Sequence, residues 1–171
     1  GFKADAFVHE LVDSIIGDNY PVPPRMLVHA ERVVNEYLMW AMCDNQPPEG
    51  KFDLFAVEGG TAAMCYTFKS LMQNGILHKG DRIALGTPIF TPYLEFPHLA
   101  DYHFDTVMIR APQEAGFQYT DEELKKLEDP TVKAFFVVNP GNPTSAAISE
   151  EAHHKLVKVV KEKRPDLIVL T

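Results

Sequence analysis

The stretch FFVVNPGNPTS, Phe135–Ser145, joins an apolar run to a turn that holds two Asn-Pro steps. The run that enters it, KAFFVV at residues 133–138, has no polar alternation, which is typical of a strand buried on both faces of a parallel sheet. The turn that follows has two interpretations. It either only reverses the chain, or it carries a site at the tip of the strand.

Segments on both sides of this strand alternate between strand-like and helix-like patterns. Predicted strands lie at residues 52–57, 81–86, 104–110, 133–138 and 166–171. Predicted helices lie at residues 3–16, 24–43, 61–75, 121–129 and 150–163. Thr120 and Glu123 are expected to form a capping box, and Ser149 is expected to cap the last helix. This alternation predicts an α/β fold with a largely parallel sheet.

The composition is that of a globular protein and argues against several function classes. The 171 residues suffice for one ordinary domain, and 46% of them are hydrophobic. The net charge of −8 argues against binding to nucleic acid or to an anionic membrane. No apolar run has the length of a membrane span, and no signal peptide is visible. Cys43 and Cys65 have neither metal-binding nor disulfide spacing, which fits a reducing compartment, so we expect a cytoplasmic protein.

Three motifs follow predicted strands. They are EGGT at residues 58–61, TPIF at residues 87–90 and NPGNPTS at residues 139–145. Parallel sheets bind their ligands at the carboxyl ends of the strands. These motifs are therefore expected to meet at one edge of the sheet.

The EGGT motif is a candidate anion site. Gly59 and Gly60 allow a ligand to approach the backbone closely, and Thr61 adds a hydroxyl at the start of a helix. Free N–H groups and the helix dipole at that point favour a phosphate group. Taken alone, a glycine pair more often marks a tight turn without a ligand.

The other two motifs contribute an aromatic ring and an amide. Phe90 can stack on a flat ligand ring, whereas Tyr93 and Phe96 are interpreted as covering the edge of the sheet. Asn142 can donate one hydrogen bond to a ligand oxygen. Turn chemistry alone is the alternative role for the asparagine.

In order and spacing, the three motifs resemble those of the fold-type I pyridoxal-phosphate enzymes of the aspartate aminotransferase class. VEGGTAAM at residues 57–64 and GTPIFTPYLEFPHLADY at residues 86–102 are similar to aspartate 4-decarboxylases, which also act as aspartate aminotransferases. The resemblance covers essentially the whole chain and implies a three-layer α/β/α fold. It also implies that residues 1–23 form an N-terminal helix and active-site loop, and that residues 24–171 form an incomplete cofactor-binding large domain.

The resemblance gives each candidate residue a role toward pyridoxal 5′-phosphate. Gly60 and Thr61, with Gly59 beside them, would hold the cofactor phosphate. Phe90 would stack on the pyridine ring. Asn142 would donate a hydrogen bond to the phenolic oxygen of that ring.

Further expectations accompany this resemblance. Tyr20 is expected to reach the cofactor phosphate of a neighbouring subunit, which implies a homo-oligomer. Ser145 departs from the family pattern, in which glycine follows the threonine, and we expect it to alter the turn but not the chemistry. The Thr87-Pro88 and Asn142-Pro143 peptide bonds are both expected to be cis.

Several groups on which the family's chemistry depends match no residue of this sequence. They are the Schiff-base lysine, the aspartate that binds the ring nitrogen and the arginines that bind substrate carboxylates. We therefore expect a piece of a longer enzyme, and we expect these 171 residues alone to be inactive.

The parent enzyme is expected to convert aspartate to alanine and CO2 by 4-decarboxylation, and to oxaloacetate by transamination. Two alternatives stay open. One is another class I or II amino-acid aminotransferase. The other is a stand-alone α/β anion-binding module without catalysis.

Overall fold

The computed structural model describes residues 4–15, 28–46 and 52–171. The chain divides into two compact units, residues 1–58 and residues 59–171. Tyr20 and the predicted domain boundary after residue 23 lie outside the described residues, so both stay predictions.

The described residues of the N-terminal unit form two helices, and both confirm the sequence prediction. Helix α1 spans Ala4–Ile15 and helix α2 spans Val28–Cys43. Large apolar side chains of α2 are exposed, and the rings of Tyr37 and Trp40 lie 6.0 Å apart, centroid to centroid. No helix of the described residues is long and apolar enough to cross a membrane.

The predicted strand at residues 52–57 is wrong. The segment has no regular secondary structure, and Phe52 and Phe55 are 47% and 71% exposed. A strand is held by backbone hydrogen bonds to a neighbouring strand, and within the described residues no strand pairs with this segment. Its apolar composition alone could not reveal the missing partner.

The C-terminal unit is built on a four-stranded parallel sheet with the strand order β2-β1-β3-β4. The strands are β1 Arg82–Thr87, β2 Asp105–Arg110, β3 Val132–Phe136 and β4 Ile168–Leu170. All four confirm predicted strands, and every strand end lies within two residues of the predicted one. Because the strands are parallel, all their carboxyl ends lie at the same edge of the sheet.

Helices cover both faces of this sheet. Helix α3, Gly60–Gln73, packs Met64 and Phe68 against one face, together with Phe136 of β3. The opposite face, which includes Phe135, is covered by Leu124 and Leu156. Leu124 belongs to helix α5, Asp121–Lys125, and Leu156 belongs to helix α6, Glu150–Lys158. One further helix, the single turn α4, Pro92–Glu95, lies between β1 and β2 in the chain. Phe135 and Phe136 thus point to opposite faces, which confirms both the fully buried strand and the three-layer α/β/α architecture.

The two predicted helix caps are present, although one is only half of the predicted motif. Ser149 accepts a hydrogen bond from the Ala152 N–H at 3.2 Å, and Thr120 accepts one from the Glu123 N–H at 3.4 Å. The Glu123 carboxylate accepts instead from the Arg110 N–H at 2.7 Å and from the Lys126 ammonium at 2.6 Å. A capping box needs that carboxylate to return to its own cap residue, so the prediction of a complete box is wrong.

Glu123 therefore ties helix α5 to strand β2. Burial by itself would raise the pKa of the Glu123 carboxyl, but the hydrogen bonds from Arg110 and Lys126 outweigh it and lower the pKa. The carboxylate stays ionised at neutral pH and holds the two elements together.

A network of charged groups closes the amino end of the sheet. Arg82 donates to the Asp105 carboxylate at 2.6 Å and reaches Asp129 at 3.4 Å. Arg164, 4% exposed, donates to the Asp166 carboxylate and to backbone carbonyls of the segment that enters β3. Those carbonyls belong to Leu127, Asp129 and Val132. We call these residues the amino-end network, in which both arginines are paired with carboxylates.

Candidate functional site

A pocket of about 360 Å³ lies at the carboxyl end of the sheet. Its lining residues are Gly60, Thr61, Phe90, Tyr93, Val138 and Asn142. Four predicted site residues from three separate motifs therefore surround one cavity, and Gly59 is adjacent in the chain. A volume of this size falls at the lower end of the range for small-molecule and cofactor sites.

The start of helix α3 forms one wall of the pocket. Gly59 has φ 115°, a backbone conformation that other residues rarely adopt, and it caps the helix without a side-chain hydrogen bond. The first intrahelical bond runs from the Ala63 N–H to the Gly59 carbonyl at 3.0 Å. The N–H groups of Gly60 and Thr61 precede that bond, so they have no acceptor inside the helix.

Gly60 is open toward the pocket. Apart from its two chain neighbours and the backbone of its own helix, a Cβ atom added at this residue would meet nothing within 4 Å. The glycine is therefore not required by packing inside the protein. The remaining physical reason for a glycine at this position is that it lets a ligand approach the backbone closely.

The loop after β1 supplies the aromatic wall. The Thr87-Pro88 peptide bond is cis, as predicted, and Ile89 is buried at 5% exposure. Ile89 anchors the loop in the core, and the next residue, Phe90, lines the pocket with a partly buried ring.

The two asparagines after β3 have different roles. The Asn139 side chain accepts a hydrogen bond from the Ile148 N–H at 2.9 Å, so it performs turn chemistry. Asn142 lines the pocket, and its amide forms no hydrogen bond among the described residues. Both interpretations of this turn therefore hold, since one asparagine builds the turn and the other is left available to a ligand.

The turn that presents Asn142 is held by its own backbone. The Gly141 N–H donates to the Ala146 carbonyl at 2.8 Å, and the Ser145 N–H donates to the Gly141 carbonyl at 2.7 Å. The Asn142-Pro143 bond is cis, as predicted, and the Asn139-Pro140 bond is also cis, which was not predicted. Ser145 has φ 58°, and this left-handed conformation explains why glycine suits the position.

Gln118 fixes the far end of the same loop. Its amide nitrogen donates to the Ala147 carbonyl at 3.0 Å, and its amide oxygen accepts from the Ser149 N–H at 2.7 Å. Sequence reasoning missed this contact, because Gln118 lies about thirty residues from its partners and belongs to no motif.

Tyr93 departs from its predicted role. Phe96 packs against the core cluster beside α3, in keeping with a covering residue, and so does the ring of Tyr93. Tyr93 also lines the pocket, so the interpretation as a cover alone is wrong. Its spacing of three residues from Phe90, across a turn begun by Pro92, is the signal that could have indicated this.

The arrangement suits a flat, anionic ligand. Backbone N–H groups and the dipole of α3 favour a phosphate at the Gly60 wall, and Phe90 offers a face for ring stacking. The Asn142 amide can donate to a ring oxygen. No group of histidine, cysteine or acidic residues able to hold a metal ion exists within the described residues.

Comparison with known proteins shows which family and which individual proteins the chain is similar to. The family model for aminotransferase class I and II matches residues 54–170. The chain is 50% identical, over its full 171 residues, to the bifunctional aspartate aminotransferase and L-aspartate beta-decarboxylase of a Pseudomonas species. It is 27% identical over 109 residues, 64% of the chain, to an aspartate aminotransferase of Rhizobium meliloti.

The fold has a counterpart among solved structures. The crystal structure of cystalysin from Treponema denticola, which contains a pyridoxal 5′-phosphate cofactor, matches with a TM-score of 0.51 and 21% identity. The match covers 64% of this chain and 27% of that one. The chain spans 32% of the length of the Pseudomonas relative and 26% of the length of the Rhizobium relative.

Proposed function

The chain belongs to the class I and II aminotransferase family, and on that premise we propose that the natural protein carrying it is a pyridoxal 5′-phosphate-dependent enzyme acting on aspartate. The observation that carries the proposal is the pocket itself. A helix start with free N–H groups, an aromatic ring and an amide surround one cavity of about 360 Å³. These are the three kinds of contact that a phosphorylated pyridine ring with a phenolic oxygen requires.

Each lining residue has a distinct task in this proposal. The N–H groups of Gly60 and Thr61, with the dipole of α3, bind the phosphate, while Gly59 gives the helix start its shape. The Phe90 ring packs on the face of the pyridine ring and excludes water from it. Asn142 donates a hydrogen bond to the phenolic oxygen.

The bound cofactor supplies an electron-withdrawing ring that stabilises negative charge developing on the substrate carbon. The chain contributes orientation, because phosphate, ring face and oxygen are fixed by three different loops. A ligand held at three points has little freedom to turn in its pocket, so the reacting carbon is held in one direction.

The proposed reactions are 4-decarboxylation of aspartate to alanine and CO2, and transamination of aspartate to oxaloacetate. They are supported by the 50% identity to a Pseudomonas protein named for both activities. No lysine of the described residues lines the pocket, so we propose that these 171 residues alone turn over no aspartate.

The experiment uses the natural protein that carries these residues. Purified protein is incubated with pyridoxal 5′-phosphate, and the absorption band of bound cofactor is recorded after dialysis. Aspartate is then added, and alanine, CO2 and 2-oxo acid are measured separately. Absence of a bound-cofactor band would overturn the proposal.

Two other outcomes would favour a different function. Transamination of other amino acids without CO2 release would favour a different aminotransferase of the same family, a candidate that the family match alone supports. Binding of inorganic phosphate without cofactor binding would favour an anion-binding module.

We further propose a cytoplasmic homo-oligomer in which Tyr20 reaches the cofactor phosphate of a neighbouring subunit. The free thiols of Cys43 and Cys65 support a reducing compartment. Light scattering that gave the mass of a monomer for the natural protein would contradict the oligomer.

A further inference from the structure

Two side chains hold one peptide group of the arm that follows the Asn142 turn. The Ala147 carbonyl accepts a hydrogen bond from the Gln118 amide nitrogen at 3.0 Å, and the Ile148 N–H donates to the Asn139 side-chain oxygen at 2.9 Å. That carbonyl and that N–H belong to the same peptide bond. Because its acceptor and its donor are both bonded, the orientation of this peptide is fixed from two directions.

Gln118 bonds to this arm in the way that a neighbouring strand would. Its amide oxygen accepts from the Ser149 N–H at 2.7 Å, while its amide nitrogen donates to the Ala147 carbonyl. A parallel strand makes the same pair of bonds to the residues on either side of its partner residue. The same nitrogen also donates to the Gly116 carbonyl at 3.2 Å, so the side-chain amide is itself held against its own loop. A hydrocarbon side chain of equal length would supply neither the donor nor the acceptor.

The contact of Gln118 with the arm is connected to Asn142 through the backbone of the turn. The Ala146 carbonyl, next to Ala147 in the chain, accepts from the Gly141 N–H at 2.8 Å. Gly141 directly precedes Asn142. A displacement of the arm is therefore passed to the residue that sets the direction of the Asn142 side chain.

Gln118 does not line the pocket, so it has no direct contact with a ligand there. We propose that Gln118 is a positioning residue, which holds the Asn142 amide within reach of the phenolic oxygen of the cofactor ring. The inference rests on the proposed binding of pyridoxal 5′-phosphate. Gln118 acts through Asn142 and leaves the phosphate contacts at the start of α3 unchanged.

The test compares two glutamines of one segment in the natural protein. Gln118→Met removes the amide and keeps a side chain of similar length. Gln113→Met is the matched control, because Gln113 is an exposed residue of the same connection between β2 and α5, and its side chain makes none of these contacts. Asn142→Ala is made alone and in combination with Gln118→Met, since coupled residues give effects that do not add.

Four quantities are measured for each protein. They are the Kd for pyridoxal 5′-phosphate, the Kd for inorganic phosphate, the pH midpoint at which the absorption band of the bound cofactor changes, and the urea midpoint of unfolding. A hydrogen bond donated to the phenolic oxygen stabilises the ionised form of that oxygen, so its loss should raise the pH midpoint.

We expect Gln118→Met to raise the cofactor Kd about threefold and the pH midpoint by about half a unit. The Kd for inorganic phosphate should not change, because the phosphate contacts lie at the start of α3. In the protein that already carries Asn142→Ala, Gln118→Met should change neither the cofactor Kd nor the pH midpoint further. Gln113→Met should alter none of the four quantities.

Three results would overturn the positioning role and leave the proposed function standing. One is a lowered urea midpoint for Gln118→Met with an unchanged cofactor Kd and pH midpoint, which would make Gln118 purely structural. The second is an equal effect of Gln118→Met with and without Asn142→Ala. The third is an equal weakening of phosphate and cofactor binding.

The two remaining outcomes are also decisive. If the unaltered protein binds no cofactor, the proposed function fails and this inference fails with it. If Gln118→Met does not fold, Gln118→Asn is measured in its place, because it keeps the amide but shortens its reach by one methylene group. The same directions of change are then expected, and unchanged cofactor Kd and pH midpoint would again overturn the positioning role.

Discussion

The two ends of the parallel sheet differ in whether their polar groups have partners within the chain. At the amino end, Arg82 and Arg164 are paired with carboxylates and carbonyls of the chain itself. At the carboxyl end, the N–H groups of Gly60 and Thr61 and the amide of Asn142 belong to residues that line a cavity, and they have no such partners among the described residues.

The difference indicates which end stabilises the fold and which end is available to a ligand. Polar groups that satisfy one another contribute to stability, and their loss should be felt in unfolding. Polar groups that line a cavity without partners contribute little to the fold, and their loss should be felt in binding. Variants at the two ends are therefore expected to separate stability from cofactor affinity.

The largest effect is expected at the amino end. Arg164→Met removes the donor to the carbonyls of Leu127, Asp129 and Val132, and should lower the free energy of unfolding by about 3 kcal/mol or more. Lys161→Met is the matched control, since it removes a positive charge from an exposed residue of the same segment. Urea denaturation of the natural protein measures both, and equal midpoints for the two variants would contradict the prediction.

At the carboxyl end, Gly60→Ala should affect binding and leave the fold intact. Beyond its chain neighbours and its own helix backbone, the added methyl group meets nothing within 4 Å, so unfolding should not become easier. Cofactor affinity should fall about tenfold, because the methyl group occupies space that the ligand needs. Gly59→Ala is the contrasting variant, because residues other than glycine are strained at φ 115°. Thermal unfolding of this variant should therefore occur at a lower temperature.

The two asparagines of one turn are also expected to separate stability from cofactor affinity. Asn139→Ala loses the hydrogen bond from the Ile148 N–H and should lower the free energy of unfolding by about 1 kcal/mol. Asn142→Ala should leave unfolding unchanged and weaken cofactor binding by a similar free energy. Chemical denaturation and cofactor titration of both variants provide the check, and interchanged results would reverse the two assigned roles.

A pH dependence is expected from the amino-end network. The hydrogen bond from Arg164 is the main cause that lowers the pKa of Asp166 from 3.8 to about 2. A carboxyl with a lowered folded pKa adds stability above its unfolded pKa, and that stability is lost as the pH falls through the folded value. Denaturation midpoints measured from about pH 4 down to about pH 2 should fall less steeply for Asp166→Asn than for the unaltered protein.

The smallest effect is expected in the turn itself. Ser145→Gly should raise the free energy of unfolding by less than about 1 kcal/mol, because glycine adopts φ 58° without strain but loses more freedom on folding. Cofactor affinity should not change, since Ser145 does not line the pocket. A weakened affinity in this variant would show that the turn conformation is set by the serine and not only tolerated by it.

The layered fold and most residues of the candidate site could be predicted from the amino-acid sequence alone. Strand β3 could be predicted from an apolar run without alternation, because burial on both faces demands apolar residues at every position. The pocket residues Gly60, Phe90 and Asn142 could be predicted because each follows a strand or opens a helix, and parallel strands bring such positions to one edge.

Roles that depend on distant partners could be assigned only from the packed chain. The apolar segment at residues 52–57 reads as a strand, yet strand formation depends on a neighbour that a local pattern cannot reveal. Asn139 and Asn142 look equivalent in the sequence, and only the position of the Ile148 N–H separates the structural amide from the available one. Tyr93 and Arg164 were assigned by what surrounds them, because burial and hydrogen-bond satisfaction are properties of the packed chain and not of the residue type.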